Sequence, residues 1–115
     1  MGLLADREYQ ERAARNQSLF REVNERIRGL PDRPPAVYEL FICECHRDGC
    51  TEPISLTMAE YEAIRSDPTR FVVTPGHFDP NVETSVHTQD GRFQVVEKIE
   101  RSAEVAERLD PRGLE

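Results

Sequence analysis

The stretch Phe41-Ile42-Cys43-Glu44-Cys45-His46-Arg47-Asp48-Gly49-Cys50 holds all three cysteines of the chain within eight residues, spaced C-x-C-x4-C. Val37 to Cys45 reads as a strand, because Tyr38, Leu40 and Ile42 alternate with Phe41, Cys43 and Cys45. Both faces are apolar, which predicts an interior strand rather than an edge. Period two sets Cys43 and Cys45 on one face, where both sulfurs can reach a single ion. Asp48-Gly49 supplies turn chemistry that brings Cys50 back toward them.

Three thiolates need a fourth donor to close a tetrahedral zinc site. His77 follows Pro75-Gly76 on a second tight turn, from which an imidazole can be aimed at the cysteine loop. His46 leaves the strand on the face opposite the two thiols, which makes joint ligation awkward. His87 falls within a strand and reads as solvent-facing, and Asp48 is a weaker oxygen donor. The favoured metal set is therefore Cys43, Cys45, Cys50 and His77, with Zn2+ as the ion. Two other readings of the cysteines stand beside it: buried thiols without metal, and a redox Cys-x-Cys pair.

Working outward, residues from about Leu4 to Gly29 predict one long helix. Its expected apolar stripe is Tyr9, Ala13, Phe20, Val23, Ile27 and Leu30, widened by Leu19. Glu8–Arg12, Glu11–Arg15 and Glu22–Arg26 form i,i+4 pairs in the favourable order. Two roles fit this helix: packing on its own domain, or docking a protein partner or a second copy of the chain. Pro31 to Pro35 reads as a stiff linker.

Ile54 to Leu56 predicts a short strand. Thr57-Met58-Ala59-Glu60 is a capping box opening a helix to about Ser66, which buries Met58, Tyr61, Ile64 and Ala63. Arg70 to Thr74 predicts a strand ended by Pro75-Gly76. Val82 to Thr88 and Phe93 to Lys98 flank the hairpin signal Asp90-Gly91. Ile99 to Leu109 predicts a terminal helix. The fold class is α+β: a small, mostly antiparallel sheet with a helix between strands, a long N-terminal helix and a short C-terminal one, stabilised by zinc. The division is residues 1–30 as helix, 31–36 as linker, 37–110 as zinc-binding domain and 111–115 as tail.

At 115 residues, with 37% hydrophobic and 32% charged residues, the core must be small, and a metal clip would support it. A net charge of −7 argues against an extensive nucleic-acid surface, which needs clustered Lys and Arg. Charges at Asp6 and Arg7 interrupt any secretory core, and no apolar run is long enough to span a membrane. With an odd number of cysteines, this points to reduced thiols and a cytoplasmic protein.

Signatures of zinc deaminases, zinc proteases, serine hydrolases and phosphate loops are missing from the sequence. Glu44 faces away from the thiols, and Glu52, Glu60 and Glu62 read as solvent-facing residues or caps. The expected function is a protein-interaction or regulatory module with structural zinc. The alternative is a small zinc- or thiol-dependent enzyme or redox sensor, in which Arg65, Arg70 or Lys98 would receive an anionic substrate.

The segments Asn16 to Ile27, Phe41 to Cys45, Cys50, Leu56-Thr57, Glu60 to Glu62, Arg65, Pro68 to Phe71, Pro75 to His77 and Val95 to Lys98 resemble a family of small, largely uncharacterised bacterial proteins, chiefly actinobacterial. The likeness covers roughly residues 12 to 110. It implies Cys43, Cys45, Cys50 and His77 as the matching metal positions. The family has a small residue where this chain has His46. No activity carries over from it.

Overall fold

The computed structural model describes residues 3–29, 38–47, 50–89 and 91–114. The Pro31–Pro35 linker and the Asp48-Gly49 pair lie outside them. The order of elements is α1 (Leu3–Arg28), β1 (Tyr38–Ile42), β2 (Pro53–Thr57), α2 (Met58–Arg65), β3 (Arg70–Val73), β4 (Glu83–Gln89), β5 (Phe93–Lys98), α3 (Glu100–Arg108) and a 3₁₀ turn, Pro111–Leu114. The class is α+β, as the sequence pattern indicates. No helix among the described residues is long and apolar enough to cross a membrane.

All strand pairing is antiparallel, but it forms two sheets, β1-β2 and β3-β5-β4. β1 is thus not the interior strand expected from its two apolar faces. Phe41 is buried, whereas Tyr38 and Leu40 stand exposed on the other side. The residues after β1 then stitch the sheets together. The Cys43 N–H donates to Glu52 O (2.8 Å), extending the β1-β2 pairing, and the Glu44 N–H donates to Val72 O of β3 (2.8 Å). Phe41 stacks on Tyr61 of α2 at 4.5 Å between ring centroids. Ile54, Leu56, Ile64, Phe71, Val72, Val73 and Val96 fill the remaining core.

The capping box forms as its sequence dictates. The Glu60 N–H donates to Thr57 Oγ1 (3.1 Å) and the Thr57 N–H to Glu60 Oε1 (2.9 Å). Arg65 is buried and ion-paired with Asp110, while Ala63, expected inside, is exposed. Gly91 takes φ 71° in the β4-β5 turn, a left-handed conformation that glycine enters without strain. β4 carries a bulge between Ser85 and His87, which breaks the simple alternation of Val82, Thr84, Val86 and Thr88.

α1 packs on its own domain, and it does so with the opposite kind of face from the one expected. Its buried residues are Gln10, Ala13, Ala14, Gln17, Ser18, Arg21 and Asn24. Of the predicted apolar stripe, among the described residues, only Ala13 is fully buried; Tyr9, Phe20 and Ile27 are half-buried, and Leu19 and Val23 point outward at 61% and 42% exposure, while Leu30 lies outside the described residues. The cause lies in what α1 covers: backbone groups at strand and helix ends, which need hydrogen-bond partners when buried.

Asn24 serves both sides of Ile42, its Nδ2 donating to Ile42 O and its Oδ1 accepting from Ile42 N–H, each at 2.8 Å. It closes the free edge of β1 as a neighbouring strand would. Gln17 donates to Glu44 O (2.8 Å), and Arg21 donates to Pro68 O (2.6 Å) and Ala106 O (2.8 Å) while lying 4.2 Å over the Phe71 ring. Gln10 Oε1 accepts from the Arg101 and Ser102 N–H groups at the start of α3, at 3.0 and 3.3 Å.

Candidate metal centre

β1 ends at Ile42, and the extended chain that follows sends Cys43 and Cys45 to one side and Glu44 to the other. Both cysteines are fully buried; Cys50 and His77 are half-buried. Cys50 returns through a turn closed by its N–H on Arg47 O (3.2 Å). His77 sits at the end of a Thr74-Pro75-Gly76-His77 turn, its N–H donating to Thr74 O (2.9 Å). Gly76 has φ 93° there; nothing crowds the position of a Cβ, so the backbone conformation alone calls for glycine.

One ligand atom from each of Cys43, Cys45, Cys50 and His77 lies within 4.8 Å of every other, so the cluster could hold a metal ion. His77 Nδ1 is 3.5 Å from Cys43 Sγ and 3.6 Å from Cys50 Sγ. A tetrahedral ion with ordinary Zn–S and Zn–N bonds places nitrogen and sulfur about 3.6 Å apart. These two nitrogen–sulfur distances match the spacing such an ion requires.

No family model, curated protein or solved structure matches this chain.

The surroundings favour thiolates. The Thr74 N–H donates to Cys43 Sγ (3.2 Å). The Thr74 hydroxyl, buried and without a hydrogen-bond partner among the described residues, also acts to lower the Cys43 thiol. The Cys45 thiol, with Thr74, pulls Cys43 well below the usual thiol range, and Cys45 is pushed up by the same mutual hydrogen bond. Two adjacent sulfurs sharing one proton are prepared to exchange it for a cation. The Arg47 backbone N–H opposes the rise at Cys45.

The two other histidines are engaged elsewhere. His46 Nε2 lies 2.6 Å from Asp79 Oδ2, and its ring meets Tyr9 edge-on at 5.7 Å between centroids. His87 is exposed on β4 with Nε2 2.9 Å from Gln89 Oε1. Asp48 lies outside the described residues.

Glu44 is fully buried beneath α1. Its carboxylate accepts from Asn24 Nδ2 (2.7 Å) and the Val72 N–H (3.0 Å), and burial lifts it to about 7 despite these bonds. Its role as the anchor of α1 escaped sequence reasoning, although its place between two inward-facing cysteines already put it on a separate face. The cations suggested for an anionic substrate have partners too. Lys98 is buried against Glu83 (2.8 Å), Arg65 against Asp110, and Arg70 meets Glu97 (3.1 Å).

Proposed function

We propose that this is a cytosolic protein-interaction or regulatory module whose fold is cross-linked by a structural zinc ion on Cys43, Cys45, Cys50 and His77. The observation that carries this reading is the set of four donors within 4.8 Å of one another, two of them fully buried. Three sulfurs and one imidazole suit zinc better than magnesium or calcium, which prefer oxygen ligands. Four protein donors leave no open coordination position for a substrate, the condition of a structural site. The pattern shared with the bacterial family that the chain resembles supports the same ligands. Zinc here would tie the end of β1 to the turn after β3.

A partner, or a second copy of the chain, would meet the outer face of α1, where Leu19 and Val23 are exposed one turn apart. Size-exclusion chromatography with light scattering on Leu19→Asp/Val23→Asp tests the second-copy form. A dimer reduced to monomer supports it, and a wild-type monomer removes it.

Metal analysis tests the centre. One zinc per chain is expected, lost in Cys43→Ser and strongly reduced in His77→Ala. The lowered Cys43 thiol and half-buried Cys50 favour, as a second reading, a reactive thiol in an enzyme or redox sensor. Alkylation separates the two: a closed zinc site resists labelling until chelated, while a reactive thiolate is labelled at once.

A further inference from the structure

Beside the metal centre a polar cleft of about 410 Å³ opens between α1 and the cysteine loop, lined by Tyr9, Arg12, Ala13, Asn16, His46 and Arg47. We propose that it binds a small phosphorylated molecule, with the phosphate held between Arg12 and Arg47. This goes beyond the structural zinc and needs it only to hold the loop that carries Arg47.

Two arginines line the cleft from different elements. Tyr9, Arg12, Ala13 and Asn16 recur at three- and four-residue steps and so share one side of α1, while His46 and Arg47 come from the opposing loop. Arg12 has no hydrogen-bond or ion-pair partner among the described residues, and Arg47 has only a long bond from its side chain to Gly76 O (3.3 Å). Six other arginines, Arg28, Arg65, Arg70, Arg92, Arg101 and Arg112, meet carboxylates, whereas Arg7, Arg15, Arg26 and Arg108 have no such partner among the described residues. In a chain of net charge −7, what distinguishes Arg12 and Arg47 among the arginines without a carboxylate is that both line one cleft.

Asp79, which contacts two of the cleft's lining side chains, is already engaged. It accepts from the Tyr9 hydroxyl, lies 2.6 Å from His46 Nε2 and accepts the Asn81 N–H at 3.0 Å. These bonds fix the Tyr9 and His46 rings as walls before any ligand arrives.

Guanidinium forks bind carboxylate and phosphate alike. A planar carboxylate is satisfied by one fork, whereas a tetrahedral phosphate dianion offers oxygens to two cations arriving from different directions. The volume falls within the about 300–1,000 Å³ of small-molecule sites, which leaves room for the organic part of a phosphate monoester. The amide of Asn16 is available to orient it.

The test is a titration of zinc-loaded, full-length protein with glycerol 2-phosphate and inorganic phosphate, followed by backbone amide shifts. Acetate serves as the carboxylate comparison. Saturable shifts confined to the vicinity of Tyr9, Asn16 and Arg47 are expected, with Arg12→Ala and Arg47→Ala each weakening affinity about tenfold or more. Arg26→Ala, an exposed arginine at the far end of α1, should change affinity less than about twofold. Zinc content is measured in every sample, so loss of metal is read separately from loss of anion binding. Arg12 lies outside the cysteine loop and carries the decision if Arg47→Ala loosens the metal. Absence of saturable binding, acetate binding as tightly as phosphate, or Arg12→Ala behaving like Arg26→Ala would each overturn the proposal.

Discussion

The tripeptide Cys43-Glu44-Cys45 divides two polar regions that solve the problem of burial in opposite ways. On one side, the thiols of Cys43 and Cys45 face Cys50 and His77, a group of donors whose excess negative charge as thiolates asks for a cation. On the other, Glu44 faces Asn24, Gln17 and the Val72 N–H, where the protein supplies the partners itself. Beyond Glu44 the second region continues through Glu83 and Lys98, both without side-chain exposure, with Gln17 donating to Glu83 as well (3.2 Å). Buried polarity is stable only when satisfied. In one region the fold supplies partners to the buried charges, leaving Gln17 Oε1 without one among the described residues; in the other it gathers donors that could hold an ion.

The largest expected difference follows metal removal. Structural zinc contributes about 10–16 kcal/mol in peptide folds, more than any single contact in the α1 interface. Chelation of the wild type, or Cys45→Ser, should lower the thermal midpoint more than any substitution described next. An unchanged midpoint on chelation would show that the cysteine corner needs no ion.

In the second region, Lys98→Met leaves Glu83 buried without its cation and should destabilise the protein by about 3–5 kcal/mol in denaturant titration. Adding Glu83→Gln should restore much of that loss, because the charge is then gone. If the double variant is worse than the single, the region depends on something other than charge pairing.

Glu44→Ala removes the acceptor of Asn24 and Val72, for an expected loss of about 1–3 kcal/mol. Zinc should remain stoichiometric in that variant, since Glu44 faces away from the sulfurs. A double-mutant cycle with Asn24→Ala should show coupling of about 0.5–3 kcal/mol. Zinc loss would mean that the two sides of the tripeptide are not independent.

The smallest effect belongs to the rim. Arg112 donates to Glu25 (2.5 Å) and Glu62 (2.7 Å), all three partly exposed, so Arg112→Ala should cost about 1 kcal/mol at neutral pH. The hydrogen bond from Arg112 holds the Glu62 carboxyl below its ordinary 4.5. A depressed folded-state value gives stability that is present above the unfolded value and lost as pH falls through the folded one. The gap between wild type and Arg112→Ala should therefore narrow below about pH 4.5. A gap that widens in acid contradicts this assignment.

How much of this was legible depended on the range of the forces involved. The capping box at Thr57, the turn at Pro75-Gly76 and the common face of Cys43 and Cys45 rest on neighbours a few residues apart, and each formed where the sequence placed it. The inward face of α1 was misread. Hydrophobic periodicity assumes that a helix covers an apolar surface, and here it covers Ile42, Glu44, Pro68 and Ala106 carbonyls. The interior position expected of β1 failed for a related reason: its second edge is closed by the Asn24 side chain, and no strand-based pattern contains that partner. Arg12 and Arg47 gave no signal at all, because an arginine's lack of a carboxylate is a property of its spatial neighbours.

The sequence by itself determined the α+β class, the main elements and the three thiols able to gather around an ion, with His77 the favoured fourth donor, because backbone periodicity and donor chemistry are local. Only the tertiary structure decided which side of α1 is buried, that Glu44 anchors it, and that His46 turns to Asp79 while His77 joins the thiols. Those outcomes depend on which unpaired groups two distant segments present to each other, and no spacing along the chain records that.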